Sequence, residues 1–145
     1  MFMGEYHHNI DEKGRIVIPG KFREDNTKLI VTRGLEKCLY LYTESEWNKI
    51  VEKLNKLPFT KKDARTFMRS FFAGATACDF DRSGRINITS PLVSYADLTK
   101  ECVIIGVNDR IEIWDETLYN AFLDDNASKL EEIAENLFEV SNEAL

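Results

Sequence analysis

Much of what marks catalytic or secreted proteins is missing from this chain. Its only two histidines, His7 and His8, are adjacent and have no third residue at metal-ligand spacing. On a strand one of them would face inward and the other outward. No Ser-His-Asp or Cys-His grouping and no glycine-rich phosphate loop is legible, so the pattern argues against an enzyme and implies no metal, cofactor or small-molecule substrate. The three cysteines, Cys38, Cys78 and Cys102, are odd in number and form no C-x-x-C. They read as free buried thiols rather than a disulfide framework, which makes the cytoplasm the expected compartment. No signal-peptide pattern and no apolar run longer than a strand is seen, so no membrane span is expected.

Positive charge is also scarce, but unevenly so. The net charge is −6 over 145 residues. Residues 1–75 carry 14 Lys+Arg against 10 Asp+Glu, or +4, while residues 76–145 carry 5 against 15, or −10. The last 31 residues alone hold nine acids and one lysine. Total acidity therefore does not exclude a polyanionic partner, because the local field at a docking surface matters more than the sum.

What the chain does have is a repeat. Asp11-Glu12-Lys13-Gly14-Arg15-Ile16-Val17-Ile18 returns as Asp81-Arg82-Ser83-Gly84-Arg85-Ile86-Asn87-Ile88, an offset of 70 (81 − 11). Further on, Gly34 answers Gly106, and Leu39-Tyr40-Leu41-Tyr42 answers Ile111-Glu112-Ile113-Trp114, an offset of 72 (106 − 34). Two residues have thus been inserted in the second connection. A duplicated unit built around an arginine points to a two-pronged recognition surface rather than a single pocket.

The repeated phrase has a physical reading. Asp at its first position and Gly at its fourth predict a type I turn followed by a left-handed glycine, the bulged corner of a tight hairpin. Arg15 and Arg85 then begin return strands on which Ile16, Ile18, Ile86 and Ile88 face a core, while Arg15, Val17, Arg85 and Asn87 face out. Asp11 and Asp81 are expected to pin the turns by accepting backbone N–H bonds. An intramolecular pair with Asp11 is the alternative reading for Arg15. Each repeat is small for an independent core, so the two are expected to fold together around a pseudo-twofold.

Strands are predicted over 5–10, 15–18, 28–32 and 38–42, and again over 76–80, 85–88, 101–106 and 110–114. A capping box at Thr43-Glu44-Ser45-Glu46 opens a helix that places Trp47, Ile50, Val51, Leu54 and Leu57 on one face before Pro58. A second helix starts at 60–63, with Ala64, Phe67, Met68, Phe71 and Phe72 as its apolar stripe. Asp115 or Thr117 caps a helix over 118–124, Ser128 opens a last amphipathic helix, and residues 139–145 read as frayed.

Several segments together resemble the MraZ family of bacterial transcriptional regulators. They are Met1-Phe2-Met3-Gly4-Glu5-Tyr6, the two D-x-x-G-R phrases, Pro19, Phe22-Arg23, Thr32-Arg33-Gly34-Leu35, Leu57-Pro58, Thr60-Lys61-Lys62-Asp63-Ala64-Arg65, Phe72-x-Gly74-Ala75 and the run from Val107 to Trp114. The resemblance spans essentially the whole chain. It implies an α+β fold with a mostly β core: two tandem swapped-hairpin AbrB-like units, at 5–47 and 76–119, with connecting helices at 48–75 and an acidic helical tail at 120–145. It further implies a ring-shaped homo-oligomer, associated with the nucleoid, that binds direct repeats in the promoter of the division and cell-wall gene cluster as a regulator, generally a repressor. Double-stranded DNA would be met by Arg15, Lys13, Lys21, Arg23, Arg82 and Arg85, with Asp11, Gly14, Asp81 and Gly84 shaping the turns. Thr89 stands where relatives often have proline, so the second hairpin is expected to contact DNA less well than the first. An AbrB-fold interaction module of the antitoxin type is the alternative.

Overall fold

Alternating apolar residues in each repeat build short strands that cannot complete a sheet within their own half. The computed structural model describes residues 1–24 and 26–141. The first repeat supplies β1 (Phe2–Asn9), β2 (Arg15–Val17), α1 (Gly20–Arg23), β3 (Lys28–Arg33), β4 (Leu39–Tyr42), α2 (Glu44–Leu54) and α3 (Lys62–Ala73). The second supplies β5 (Thr76–Asp79), β6 (Arg85–Asn87), α4 (Ser90–Tyr95), β7 (Glu101–Asn108), β8 (Arg110–Asp115), α5 (Glu116–Ala127) and α6 (Leu130–Ser141).

The strands form a six-stranded sheet in the order β1-β7-β8-β4-β3-β5 and a separate β2-β6 ribbon. All pairings are antiparallel. The first strand of each repeat pairs with the third strand of the other: β1 with β7, and β5 with β3. The halves are therefore swapped. A pseudo-twofold passes between Ile16 and Ile86, which oppose each other at the centre of the ribbon. It also passes between Tyr40 and Glu112, because Leu39 pairs with Ile113 and Leu41 with Ile111.

Side-chain alternation gives the sheet two buried faces. On one face Leu39, Leu41, Ile104, Ile111 and Ile113 meet Ile16, Ile18, Ile86 and Ile88 of the ribbon, with Phe22 of α1 and Leu92 of α4 closing the ends. On the other, Tyr40, Tyr42 and Trp114 pack under the helices against Trp47, Phe67 and Phe71. Trp47 and Phe71 stack with ring centroids 5.4 Å apart. The aromatic stripe of α3 is thus spent largely on the core. Glu112 is buried on this face. It is held by Arg110 Nη2 at 2.8 Å and accepts a hydrogen bond from Trp114 Nε1 at 2.9 Å, while the Arg110 guanidinium lies 4.4 Å over the Tyr40 ring.

Most elements lie where their patterns place them, and the differences have local causes. Strand β1 starts at Phe2, three residues early, because its edge is extended by β7 as far as Asn108. Helices α1 and α4 were not expected. They are single short turns after Pro19 and Thr89, each burying one residue, too short to show a period. The two-residue insertion falls here, since α4 has six residues where α1 has four. Thr43 caps α2 by accepting from Glu46 N at 3.2 Å. Asp115, rather than Thr117, caps α5. Ser128 is the C-cap of α5, its backbone N–H donating to the Asn126 carbonyl. Cys38, Cys78 and Cys102 are free and buried. Burial raises all three thiol pKa values, Cys102 to about 12 and Cys78 to about 11. Residues 142–145, part of the segment read as frayed, lie outside the described residues. No helix among the described residues is long and apolar enough to cross a membrane.

Because each half lends its first strand to the other, a fragment of residues 1–75 should show no cooperative urea transition when expressed alone. In the full chain, Ile16→Ala and Ile86→Ala should each cost about 2–5 kcal/mol. The double variant should depart from additivity, because the two side chains oppose each other on the axis.

Candidate nucleic-acid interface

Each repeated phrase closes a hairpin corner by the same set of bonds. Gly14 N donates to the Asp11 carbonyl at 3.0 Å and Asp11 N to the Arg15 carbonyl at 2.9 Å. In the second copy Gly84 N donates to Asp81 O at 3.1 Å and Asp81 N to Arg85 O at 2.9 Å. Gly14 and Gly84 have φ of +82° and +75°, the left-handed conformation that closes a bulged turn.

The aspartates do the pinning expected of them. Asp11 Oδ1 accepts from Lys13 N and Arg15 N, each at 2.9 Å, and Asp81 Oδ1 accepts from Ser83 N and Arg85 N, also at 2.9 Å. The second oxygen of each carboxylate takes the arginine Nε, at 2.6 Å for Asp11–Arg15 and 2.8 Å for Asp81–Arg85. The intramolecular pair weighed for Arg15 is therefore formed, and in both copies. It ties down one edge of each guanidinium and leaves the two terminal nitrogens without a partner among the described residues. The bonds from the arginine backbone N–H groups, and then from their side chains, hold both carboxyls below the usual carboxylate range.

The ribbon displays both arginines on one face. Arg15 opposes Asn87, and Arg85 opposes Val17. Directly opposed residues of an antiparallel pair share a face, so these four form an outward plate whose inward counterpart is Ile16 and Ile86. Arg15 and Arg85 stand at diagonal corners, offset by two residues or roughly 7 Å along the ribbon. Their side chains are 35% and 31% exposed, neither sealed nor extended.

The remaining cations take different places. Lys13, Lys21 and Arg82 are exposed and form no ion pair among the described residues. Arg23, expected among the cations that meet DNA, lies against the hairpin of the other repeat. Its Nε donates to the Ile18 carbonyl at 2.9 Å, and a Cβ on Gly84 would sit 2.6 Å from its Cζ. At the pseudo-equivalent position the second repeat has Val93. This shorter side chain lines a cavity of about 230 Å³ together with Asp11, Lys13 and Gly14. One corner is thus backed by a cation and the other by a cavity. Sequence reasoning missed this contact because it crosses from one repeat to the other.

The sequence model of one protein family, described as "MraZ protein, putative antitoxin-like", matches the chain twice, over residues 1–70 and 71–141. The chain belongs to the MraZ family. Both copies of the family unit carry the turn described above, so the plate is assembled from one hairpin of each unit.

The two corners should respond differently to an added methyl group. A Cβ on Gly14 would meet the Ile88 carbonyl oxygen, which is backbone, whereas on Gly84 it would meet the movable end of Arg23. Both alanine variants carry a left-handed strain of about 1–2 kcal/mol. Gly14→Ala should therefore lose more stability in urea unfolding than Gly84→Ala, and the reverse order would contradict the packing. The depressed carboxyls also set a pH dependence. Their stabilising effect is complete above the unfolded carboxylate pKa of about 3.9 and is lost as pH falls through the lower folded values. Stability differences between the wild type and an Asp11→Asn, Asp81→Asn double variant should accordingly shrink on acidification below about pH 4.

Proposed function

We propose that the chain is a sequence-specific DNA-binding transcriptional regulator, a repressor of the division and cell-wall gene cluster that acts on promoter direct repeats at the nucleoid. The observation that carries this reading is the outward plate, on which two guanidinium groups stand on a two-stranded ribbon with their terminal nitrogens unengaged among the described residues. The major groove, about 12 Å wide, admits such a ribbon. Their offset of roughly 7 Å along the ribbon corresponds to about two base-pair rises, so both arginines lie over the same stretch of groove. An arginine fork matches guanine O6 and N7 or a phosphate, and holding its Nε on an aspartate removes part of the freedom lost on binding. In this reading Arg15 and Arg85 read bases. Lys13, Lys21 and Arg82 neutralise backbone phosphates, and Arg23 supports the second corner and adds to its field.

One plate offers few contacts, so affinity rests on repetition. A ring of head-to-tail subunits would present identical plates to regularly spaced repeats and gain by effective concentration. Two surfaces support such an assembly. Helix α6 exposes Leu130, Ile133 and Leu137 beside Glu131, Glu132 and Glu135, and the α2–α3 corner exposes Leu57 and Phe59 among Lys53, Lys56, Lys61 and Lys62. The same α6 face favours a second reading, a module of the antitoxin type that docks a protein partner there.

Arg15→Ala should leave fold and oligomer size unchanged and weaken binding to the DNA upstream of the chain's own gene about tenfold or more. Wild-type affinity should fall linearly with salt on logarithmic axes, with a slope of about −0.9 per phosphate contact. Full binding by Arg15→Ala would remove the residue from its role, and a flat salt response would favour the protein-docking reading.

A further inference from the structure

The plate has twofold backbone symmetry but not twofold chemistry. Arg15 and Arg85 are related by the axis through Ile16 and Ile86, and the axis relates Val17 to Asn87 as well. One diagonal of the plate is therefore Arg–Arg, and the other is Val–Asn. At the first corner Arg15 stands opposite Asn87, and at the second Arg85 stands opposite Val17. Asn87 is exposed, its side-chain amide makes no hydrogen bond among the described residues, and it lines an open depression together with Lys13, Thr89 and Ser90. Val17 is half-buried and brings only methyl groups.

We propose that Asn87 and Val17 are specificity-determining residues that make the plate read DNA in one direction. An asparagine amide matches adenine N6 and N7 with two hydrogen bonds, whereas a valine offers only an apolar contact suited to the thymine methyl. The two arginines contribute the symmetric part of the recognised sequence. The Asn87 corner adds a preference for adenine beside the base met by Arg15, and the Val17 corner adds none by hydrogen bonding. A symmetric plate would favour inverted repeats, while this one favours an asymmetric element. Arrayed in one sense around a head-to-tail assembly, such plates select repeats of one orientation. Flanking groups reinforce the difference, since Lys13 lies at the Asn87 end and Arg23 lies beneath the Gly84 turn.

This inference rests on the DNA-binding reading, and one experiment separates the two. The full-length protein would be used to select ligands from a randomised duplex DNA library, in parallel with Asn87→Val and Val17→Asn. Each substitution installs the residue type found at the symmetry-related position, so both variants suit the ribbon, and urea unfolding would check that they fold. The wild type should yield an asymmetric motif. Asn87→Val should lose adenine discrimination at one position by about tenfold, with little change at the positions read by the arginines. Val17→Asn should gain the matching preference on the other side and shift the motif toward inverted symmetry. A wild-type motif that both variants reproduce unchanged would overturn the roles of Asn87 and Val17 while leaving DNA binding intact. Failure of the wild type to enrich any motif would overturn the DNA reading and this inference with it.

Discussion

The β2–β6 ribbon depends on a reciprocal exchange of backbone bonds. Ile18 N donates to Gly84 O at 3.0 Å and Ile88 N donates to Gly14 O at 2.7 Å, so each hairpin corner is completed by the strand of the other repeat. Between those two bonds Ile16 and Ile86 are sealed against the sheet. A slip of one residue would turn both isoleucines outward and both arginines inward, because strand side chains alternate. The buried face therefore holds the register, and the register holds the guanidinium groups at the surface.

The swap also settles where the two halves agree and where they part. Backbone positions obey the pseudo-twofold closely, at Ile16–Ile86 in the ribbon and at Tyr40–Glu112 in the sheet. Side chains obey it at the ribbon isoleucines and at Arg15 and Arg85, and depart from it at other positions. Tyr40 faces Glu112, whose carboxylate requires Arg110 and the Trp114 indole to be tolerated in the interior. Arg23 has Val93 as its counterpart, and Val17 has Asn87. The copies are thus alike at the ribbon isoleucines and at the two arginines, and differ both in the interior, at Tyr40 and Glu112, and on the plate, at Val17 and Asn87.

Pairing each arginine with the aspartate of its own turn lowers the net charge of each corner but leaves hydrogen-bond donors at the surface. Each carboxylate accepts from two backbone N–H groups and one Nε, while the outer nitrogens of both guanidiniums have no partner among the described residues. The acid shapes the corner and orients the base. The acidity of the chain is concentrated elsewhere, in α5 and α6, away from the β2–β6 ribbon in sequence.

Much of this was legible in the residues before any coordinates. The duplicated D-x-x-G-R phrase announced two bulged corners, because an aspartate that accepts backbone N–H bonds and a glycine with positive φ are local requirements. The alternation around Ile16 and Ile86 marked their inward faces for the same reason. Folding alone revealed which partner each strand takes, that α1 and α4 exist, that Arg23 crosses to the opposite hairpin, and that Asn87 stands against Arg15. The pairings between the repeats join residues from 45 positions apart, as for Val31 and Thr76, to 106 apart, as for Phe2 and Asn108, and the swap brings them together. Such pairings leave no periodic trace in the chain, since they arise from burying two incomplete halves against each other rather than from any local preference.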